Sequence, residues 1–106
     1  MSADVKRVVF TEAAAADLER IYDYILENTA DTEIAWRTVG DIEDHCSKLR
    51  QFPLRGRARD DLFPGARILP FRDQAVVIYE VDDAVMIVRV LYAGEDVTAA
   101  LLSGEP

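Results

Sequence analysis

The sequence QAVVIYEVDDAVMIVRVLY, residues 74–92, decides the fold. Its two apolar runs, 74–81 and 85–92, are rich in β-branched residues, and only the three residues DDA separate them, a connection short enough for a hairpin. A third run, ARILPF at 66–71, precedes them across the dipeptide RD. We therefore predict a three-stranded antiparallel meander in which the last strand, almost wholly apolar, is central.

The N-terminal part of the chain predicts one strand and one amphipathic helix. Residues 5–10, VKRVVF, are mostly β-branched or aromatic, and Thr11 is a suitable N-cap for a helix that follows them. Apolar residues then recur at helical spacing, and charged residues, Asp17 among them, lie off this stripe. The stripe consists of Leu18, Ile21, Tyr22, Ile25 and Leu26.

A second helix is predicted beyond the polar stretch ENTAD at 27–31, where Asp31 or Thr32 can act as the cap. Its apolar stripe consists of Ala35, Val39, Ile42, Cys46 and Leu49. Pro53 is expected to end this helix. The short polar turn between the two helices predicts an antiparallel helical hairpin. Gly40 costs up to about 1 kcal/mol relative to alanine inside a helix, so we expect it to permit a close approach of the first helix.

The predicted order is strand, helix, helix, strand, strand, strand. An α+β fold of two layers, in which the antiparallel meander completes one sheet with the N-terminal strand and both helices lie on the same face, buries both helical stripes. The 106 residues suit a single domain spanning 1–106. The tail EDVTAALLSGEP is expected to add a short helical turn.

Composition excludes several classes of protein. No apolar run reaches the roughly 18 residues of a membrane span, and the N-terminus lacks a signal-peptide pattern. The single cysteine permits no internal disulfide, so we expect a cytoplasmic protein. There is no glycine-rich phosphate loop, no pair of Cys or His at metal spacing and no nucleophile elbow. No cofactor and no metal are therefore predicted.

The charge is distributed unevenly. The chain has a formal net charge of −8, yet residues 48–72 hold seven of its twelve basic residues against two acidic ones. An acidic body disfavours strong direct binding to nucleic acid, whereas a local basic patch can meet one chosen partner. The candidate binding residues are Arg55, Arg57, Arg59, Arg67, Arg72, Arg89 and Tyr92.

Two interpretations of the arginines remain open at this stage. If extended, Arg55, Arg57 and Arg59 project to one side and form a binding surface, while Arg89 interrupts an apolar strand, where its burial requires a partner. In the other interpretation the arginines form ion pairs that only stabilise the fold. The expected partners are then Asp60, Asp61, Glu80 and Asp96.

Four further side chains invite a functional role but have simpler structural explanations. Cys46 continues an apolar stripe and is expected in the core. His45, the only histidine, is expected to flank that stripe, since no carboxylate is placed to orient it as a catalyst. Tyr22 and Trp36 are expected to bury their rings between the helices and the sheet.

The chain as a whole resembles the ParE branch of the RelE/ParE superfamily, the toxins of bacterial type II toxin–antitoxin modules. Four motifs carry the resemblance, which runs from about Val5 to Asp96. They are A-x-x-D-L-x-x-I (Ala14, Asp17, Leu18, Ile21), L-x-x-x-P-x-x-G (Leu49, Pro53, Gly56), D-L-x-P-G-x-R (Asp61, Leu62, Pro64, Gly65, Arg67) and I-x-R-V-L (Ile87, Arg89, Val90, Leu91).

The resemblance implies a small toxin that a cognate, ParD-like antitoxin neutralises through an acidic and amphipathic segment. The RelE branch cleaves mRNA on the ribosome, whereas the ParE branch is similar to poisons of DNA gyrase. This chain departs from the RelE pattern because YAGED at 92–96 places Tyr92 where many members have histidine and Glu95 where they have a basic residue.

Cleavage of RNA needs a base, an acid and a cation that stabilises the phosphorane. Only Arg89 and Tyr92 are candidates for these catalytic roles, and Glu95 and Asp96 would repel phosphate. We therefore expect a non-enzymatic toxin that binds DNA gyrase. The alternatives are a ribosome-dependent mRNA endoribonuclease and a non-toxic module that only binds its antitoxin.

Overall fold

The computed structural model describes residues 5–103 of the chain. Three helices and five strands follow one another in the predicted order, with one additional strand before the meander. They are β1 (Val8–Phe10), α1 (Glu12–Thr29), α2 (Thr32–Ser47), a 3₁₀ turn (Lys48–Arg50), β2 (Arg57–Ala58), β3 (Arg67–Phe71), β4 (Ala75–Val81), β5 (Val85–Tyr92) and α3 (Val97–Ser103).

The five strands form one sheet in the order β1-β5-β4-β3-β2. Consecutive strands from β2 to β5 are antiparallel, which confirms the predicted meander. β1 pairs with β5 in parallel, because the helical hairpin carries the chain back across the sheet. β5 thus lies between β1 and β4, and its predicted interior position is confirmed.

Local sequence explains where both long helices begin. The side chain of Thr11 accepts a hydrogen bond from the backbone N–H of Ala14, and that of Asp31 accepts bonds from Glu33 and Ile34. The two caps satisfy N–H groups that have no partner within the helix. α1 packs on α2, and their apolar stripes join one face of the sheet in a single core. The predicted two-layer α+β fold is confirmed.

A β-bulge interrupts β5 and sets the geometry of its second half. Ile78 lies opposite Arg89 while Tyr79 lies opposite Ile87, so Val88 is the extra residue. β1 ends opposite Ile87, and the edge of β5 beyond that point is met by α1 instead of a strand. α3, the predicted C-terminal helical turn, packs against β5.

The structure differs from the sequence-based predictions in three places: the end of α2, one short strand and the packing at Gly40. α2 ends at Ser47, well before Pro53, because the chain tightens into the 3₁₀ turn and the carbonyl of Arg50 accepts a hydrogen bond from the N–H of Lys6. β2 was not predicted, since two residues carry no periodic pattern. Gly40 does not admit α1: a Cβ placed there would meet no atom within 4 Å.

The aromatic predictions divide. Tyr22 is partly buried and packs against the core, as expected. Trp36 was predicted to be buried, but 67% of its surface is exposed, because it lies one position beyond Ala35 and therefore outside the buried stripe. Cys46 is fully buried, which confirms its place in the core.

None of the helices in residues 5–103 is long and apolar enough to cross a membrane.

Candidate functional site

The arginine-rich loop after α2 is held to the sheet by one buried tyrosine. The Tyr79 hydroxyl donates a hydrogen bond to the Pro53 carbonyl at 2.8 Å and accepts one from the Gly56 N–H at 2.7 Å. A side chain at Gly56 would place its Cβ 2.6 Å from that hydroxyl and 2.7 Å from the Ile68 carbonyl oxygen. This close approach requires glycine, and it accounts for the spacing of Pro53 and Gly56.

Three of the five candidate arginines in or beside this loop are engaged within the protein. Arg67 donates to the carbonyls of Gly56 and Leu54 at 2.6 and 3.2 Å, closing the loop from the other side. Arg59 forms a two-pronged ion pair with Asp61. Arg72 binds Asp41 at 3.0 Å, and its guanidinium lies 4.5 Å from the centre of the Phe71 ring. Their charges are partly or wholly met inside the fold.

The remaining two loop arginines lie on an exposed surface with apolar neighbours. Arg55 and Arg57 are exposed and form no ion pair with any other residue in 5–103. Phe52 and Leu54 are each 63% exposed, and together with Lys6 and Arg55 they line a shallow groove. We call Lys6, Phe52, Leu54, Arg55 and Arg57 the cationic strip.

Burial and nearby positive charges affect the pKa of His45. Burial lowers the pKa of this imidazole below its ordinary value, and the charges of Arg55, Lys48 and Arg72 lower it further. Its Nε2 lies 3.0 Å from the Pro70 carbonyl oxygen, to which the neutral ring donates. His45 thus flanks the apolar stripe, as predicted, and serves as a structural donor.

Arg89 belongs to a different cluster, at the part of β5 that lies beyond the end of β1 and is covered by α1. Its Nε and Nη2 donate to the two oxygens of Asp17 at 2.8 and 2.9 Å, and its Nη1 donates to the Ala100 carbonyl in α3. Arg20 joins Asp17 to Glu95, at 2.8 and 2.7 Å. Arg89 therefore ties α1, β5 and α3 together.

Asp17 is the centre of this cluster, although the sequence placed it on the exposed side of α1. It is only 2% exposed, and burial by itself would raise its pKa. The hydrogen bonds from Arg89, Arg20 and the Val90 N–H outweigh burial and hold the pKa of Asp17 below its ordinary value. The carboxylate is thus ionised at neutral pH, and it accepts the hydrogen bond of the Val90 N–H in the bulged strand.

Tyr92 lies next to the Asp17 cluster, in a cleft lined mainly by acidic and aromatic side chains. Its ring packs edge-on against Tyr24, with centres 5.8 Å apart, and the two line a cleft with Asp23, Glu27 and Glu95. Burial and the proximity of Tyr24 raise the pKa of the phenol. Arg20 also lines this cleft, but its guanidinium is paired with Asp17 and Glu95.

The predicted site residues are therefore not one constellation. Only Asp61 of the four expected acidic partners pairs with an arginine, while Asp60 binds the Gly65 N–H and Asp96 binds the Ala99 N–H at the start of α3. Within the described residues, Glu80 forms no ion pair. The two pairings that matter most, to Asp17 and Asp41, come from the helices and have no signal in local sequence.

A family model and a known protein both match nearly the whole chain. The model of a family described as the ParE toxin of the type II toxin–antitoxin system, parDE, matches residues 8–97. Toxin ParE3 of Caulobacter vibrioides is 30% identical over 95 residues, which cover 90% of this chain and 94% of that protein.

Solved structures agree. A chain of the chromosomal ParDE toxin–antitoxin system from P. aeruginosa superposes with a TM-score of 0.74 at 27% identity, covering 86% of this chain and 99% of that one. A chain of the RelBE2 complex from Mycobacterium tuberculosis gives a TM-score of 0.57 at 22% identity, covering 88% and 97%, and this likeness extends to the fold alone.

Proposed function

Because this chain belongs to the ParE toxin family of type II toxin–antitoxin systems, we propose that an antitoxin encoded beside it neutralises it and that it acts by binding DNA gyrase. It works in the cytoplasm as one domain spanning residues 1–106. The observation that carries the antitoxin proposal is the cationic strip, where exposed apolar and positive side chains lie side by side and Tyr79 anchors the loop.

The chemistry of the strip selects its partner. Phe52 and Leu54 offer apolar contact, while Lys6, Arg55 and Arg57 offer charge that is not neutralised within the described residues. An acidic, amphipathic segment complements both properties. The relative in P. aeruginosa is part of a ParDE system, which supports a ParD-like antitoxin as the occupant here.

A non-enzymatic action on gyrase follows from what the other candidates do. Arg89 is taken up by Asp17 and the Ala100 carbonyl, so it is not free to stabilise a phosphorane. Tyr92 lies in a cleft with three carboxylates, which repel RNA phosphates, and Arg20, which also lines the cleft, is paired with Asp17 and Glu95. A toxin that poisons a topoisomerase needs a surface complementary to its protein target and performs no bond chemistry itself. This favours gyrase binding over mRNA cleavage.

Charge reversal tests the antitoxin proposal. We expect Arg55→Glu with Arg57→Glu to weaken the complex with the neighbouring gene product by about 10-fold or more, mainly through faster dissociation. Arg37→Glu with Lys48→Glu, two exposed cations outside the cationic strip, is the control with the same charge change. Surface plasmon resonance measures both rates, and circular dichroism checks the fold. Equal affinities for the double variant and the parent would show that the strip is not the antitoxin site.

The sequence-based prediction included Arg59 in this surface. Its pairing with Asp61 leads us to expect that Arg59→Gln alone has a smaller effect on affinity than either Arg55→Gln or Arg57→Gln. The three single variants remove the same charge, so they compare position and not chemistry.

A further inference from the structure

A group of cations lies where the start of β1 meets the end of α2. The Lys6 N–H donates a hydrogen bond to the Arg50 carbonyl at 3.0 Å. The Arg7 carbonyl accepts one from the Val85 N–H at 2.8 Å. Lys6, Arg7 and Arg50 line one shallow depression, and Lys48 lies in the same 3₁₀ turn as Arg50. We call Lys6, Arg7, Lys48 and Arg50 the basic end.

The fold fixes the backbone of the basic end and leaves its charges unneutralised. None of its four side chains forms an ion pair with a residue in 5–103, and Arg7, Lys48 and Arg50 are exposed. Glu43 is the one carboxylate among the described residues that line the depression. The basic end therefore presents several cations that can meet negative charge on a partner.

The positive charge continues from the basic end into the cationic strip. Lys6 belongs to both, since it also lines the shallow groove with Arg55. Burial lowers the pKa of His45, and the charges of Arg55 and Lys48 lower it further, so both cations lie near the same imidazole. The result is one extended cationic surface on a chain whose net charge is −8. Lysines and arginines clustered on one face are the pattern by which proteins contact nucleic-acid phosphates.

The composition of the basic end favours phosphates over a protein surface. Lysine is depleted at protein interfaces, which rely on aromatic side chains, and phosphate contacts rely on lysine and arginine. Val5, Val8 and Phe10 supply the apolar part of the depression, along which the stems of long cationic side chains pack. The acidic remainder of the chain repels free DNA, so such contacts form when another protein already holds the DNA close to the toxin.

We propose that the basic end contacts the phosphates of DNA that is bound to gyrase. The toxin then binds the gyrase–DNA complex more tightly than it binds gyrase alone. This rests on the proposed function, in that the protein target is gyrase. Contacts to the phosphate backbone carry no base information, so the gain in affinity is independent of DNA sequence.

Binding of gyrase to the immobilised toxin, with and without a linear DNA duplex, tests the proposal. We expect the duplex to raise the affinity by about 10-fold or more and to steepen its salt dependence, since each phosphate contact changes the slope of log K against log salt by about −0.9. The duplex alone should bind weakly. Equal affinities for gyrase with and without the duplex, or tight binding of the duplex alone, would overturn this inference and leave gyrase binding in place. Failure of gyrase to bind in either case would overturn the proposed function itself.

Two single variants locate the contact on the toxin. Arg7→Gln and Arg50→Gln should each reduce the gain from DNA by about 3-fold or more and lower the salt slope by about 1. Both should fold, because the hydrogen bonds that fix these residues are made by their backbone groups. Arg37→Gln, at an exposed arginine of α2 outside the basic end, is the control with the same charge change. An equal loss in Arg37→Gln would leave only an effect of net charge and would contradict the proposal.

Discussion

Asp17 accepts four hydrogen bonds at a position where the carboxylate is almost completely removed from water: two from Arg89, one from Arg20 and one from the Val90 N–H. The bulge in β5 turns that N–H away from the neighbouring strands, and α1 supplies the acceptor. A charge that looks like part of a solvated helix face is thus a structural centre. Removing one member of such a buried pair leaves the other charge buried without a counter-charge.

Asp17→Asn should lower the free energy of unfolding by about 3 kcal/mol, because the guanidinium of Arg89 then lacks its counter-charge. Asp23→Asn, an exposed carboxylate on the same helix, is the control and should change stability by less than about 0.5 kcal/mol. Urea denaturation followed by circular dichroism measures both. Similar midpoints for the two variants would contradict this account of Asp17.

The lowered pKa of Asp17 also predicts a pH dependence. A carboxylate whose pKa is lower in the folded state contributes stability above its ordinary pKa of 3.8, and this contribution is lost as pH falls through the folded value. The parent should therefore lose stability below pH 3.8 more steeply than Asp17→Asn does. Parallel curves for the two proteins in this range would assign acid unfolding to other groups.

The hydroxyl group of Tyr79 supports a further prediction at the residue scale. Tyr79→Phe leaves the Pro53 carbonyl and the Gly56 N–H without their shared partner, which should cost about 1–3 kcal/mol of stability. It should also speed amide exchange in residues 54–57, whereas Tyr24→Phe, an exposed tyrosine of α1, should affect neither. Unchanged exchange in the loop would show that Tyr79 does not anchor the cationic strip.

At the scale of elements, the strands of the meander were predictable because each is a continuous apolar run bounded by turn residues. β3, β4 and β5 begin within one residue of the predicted positions and end where predicted. β2 was not, since Arg57 and Ala58 become a strand only through pairing with Ile68 and Arg67. The Asp17 cluster could not be predicted for the same reason. Local sequence does not indicate the β-bulge, and Asp17 binds the Val90 N–H just beyond it.

Gly40 supplies a prediction for α2. A methyl group at this position meets no atom within 4 Å, so Gly40→Ala should raise the free energy of unfolding by up to about 1 kcal/mol through helix propensity. Gly56→Ala is the opposite case and should be destabilising, since its Cβ would overlap the Tyr79 hydroxyl. Thermal unfolding compares the two, and a lower midpoint for Gly40→Ala would indicate a contact at α2 that the fold does not show.

At the scale of the whole molecule, opposite charges are concentrated on separate surfaces. The body is acidic, the cationic strip is positive, and the Arg89 that interrupts an apolar strand is consumed in holding α1, β5 and α3 together. Sequence alone located the positive region but not which arginines in it are engaged, because that depends on Asp41 and on backbone carbonyls brought close by folding. Among the described residues, Arg55 and Arg57 thus carry charge that no ion pair neutralises, whereas Arg89 is held by Asp17 and the Ala100 carbonyl.

The most direct test of this account adds the purified chain to two assays. We expect it to inhibit supercoiling by DNA gyrase or to trap cleaved DNA, with relief by the neighbouring gene product, and to leave mRNA intact on programmed ribosomes. Tyr92→Phe should retain the effect on gyrase. Codon-linked cuts in mRNA that disappear with Tyr92→Phe, in the absence of any effect on gyrase, would contradict the account and identify a ribosome-dependent ribonuclease.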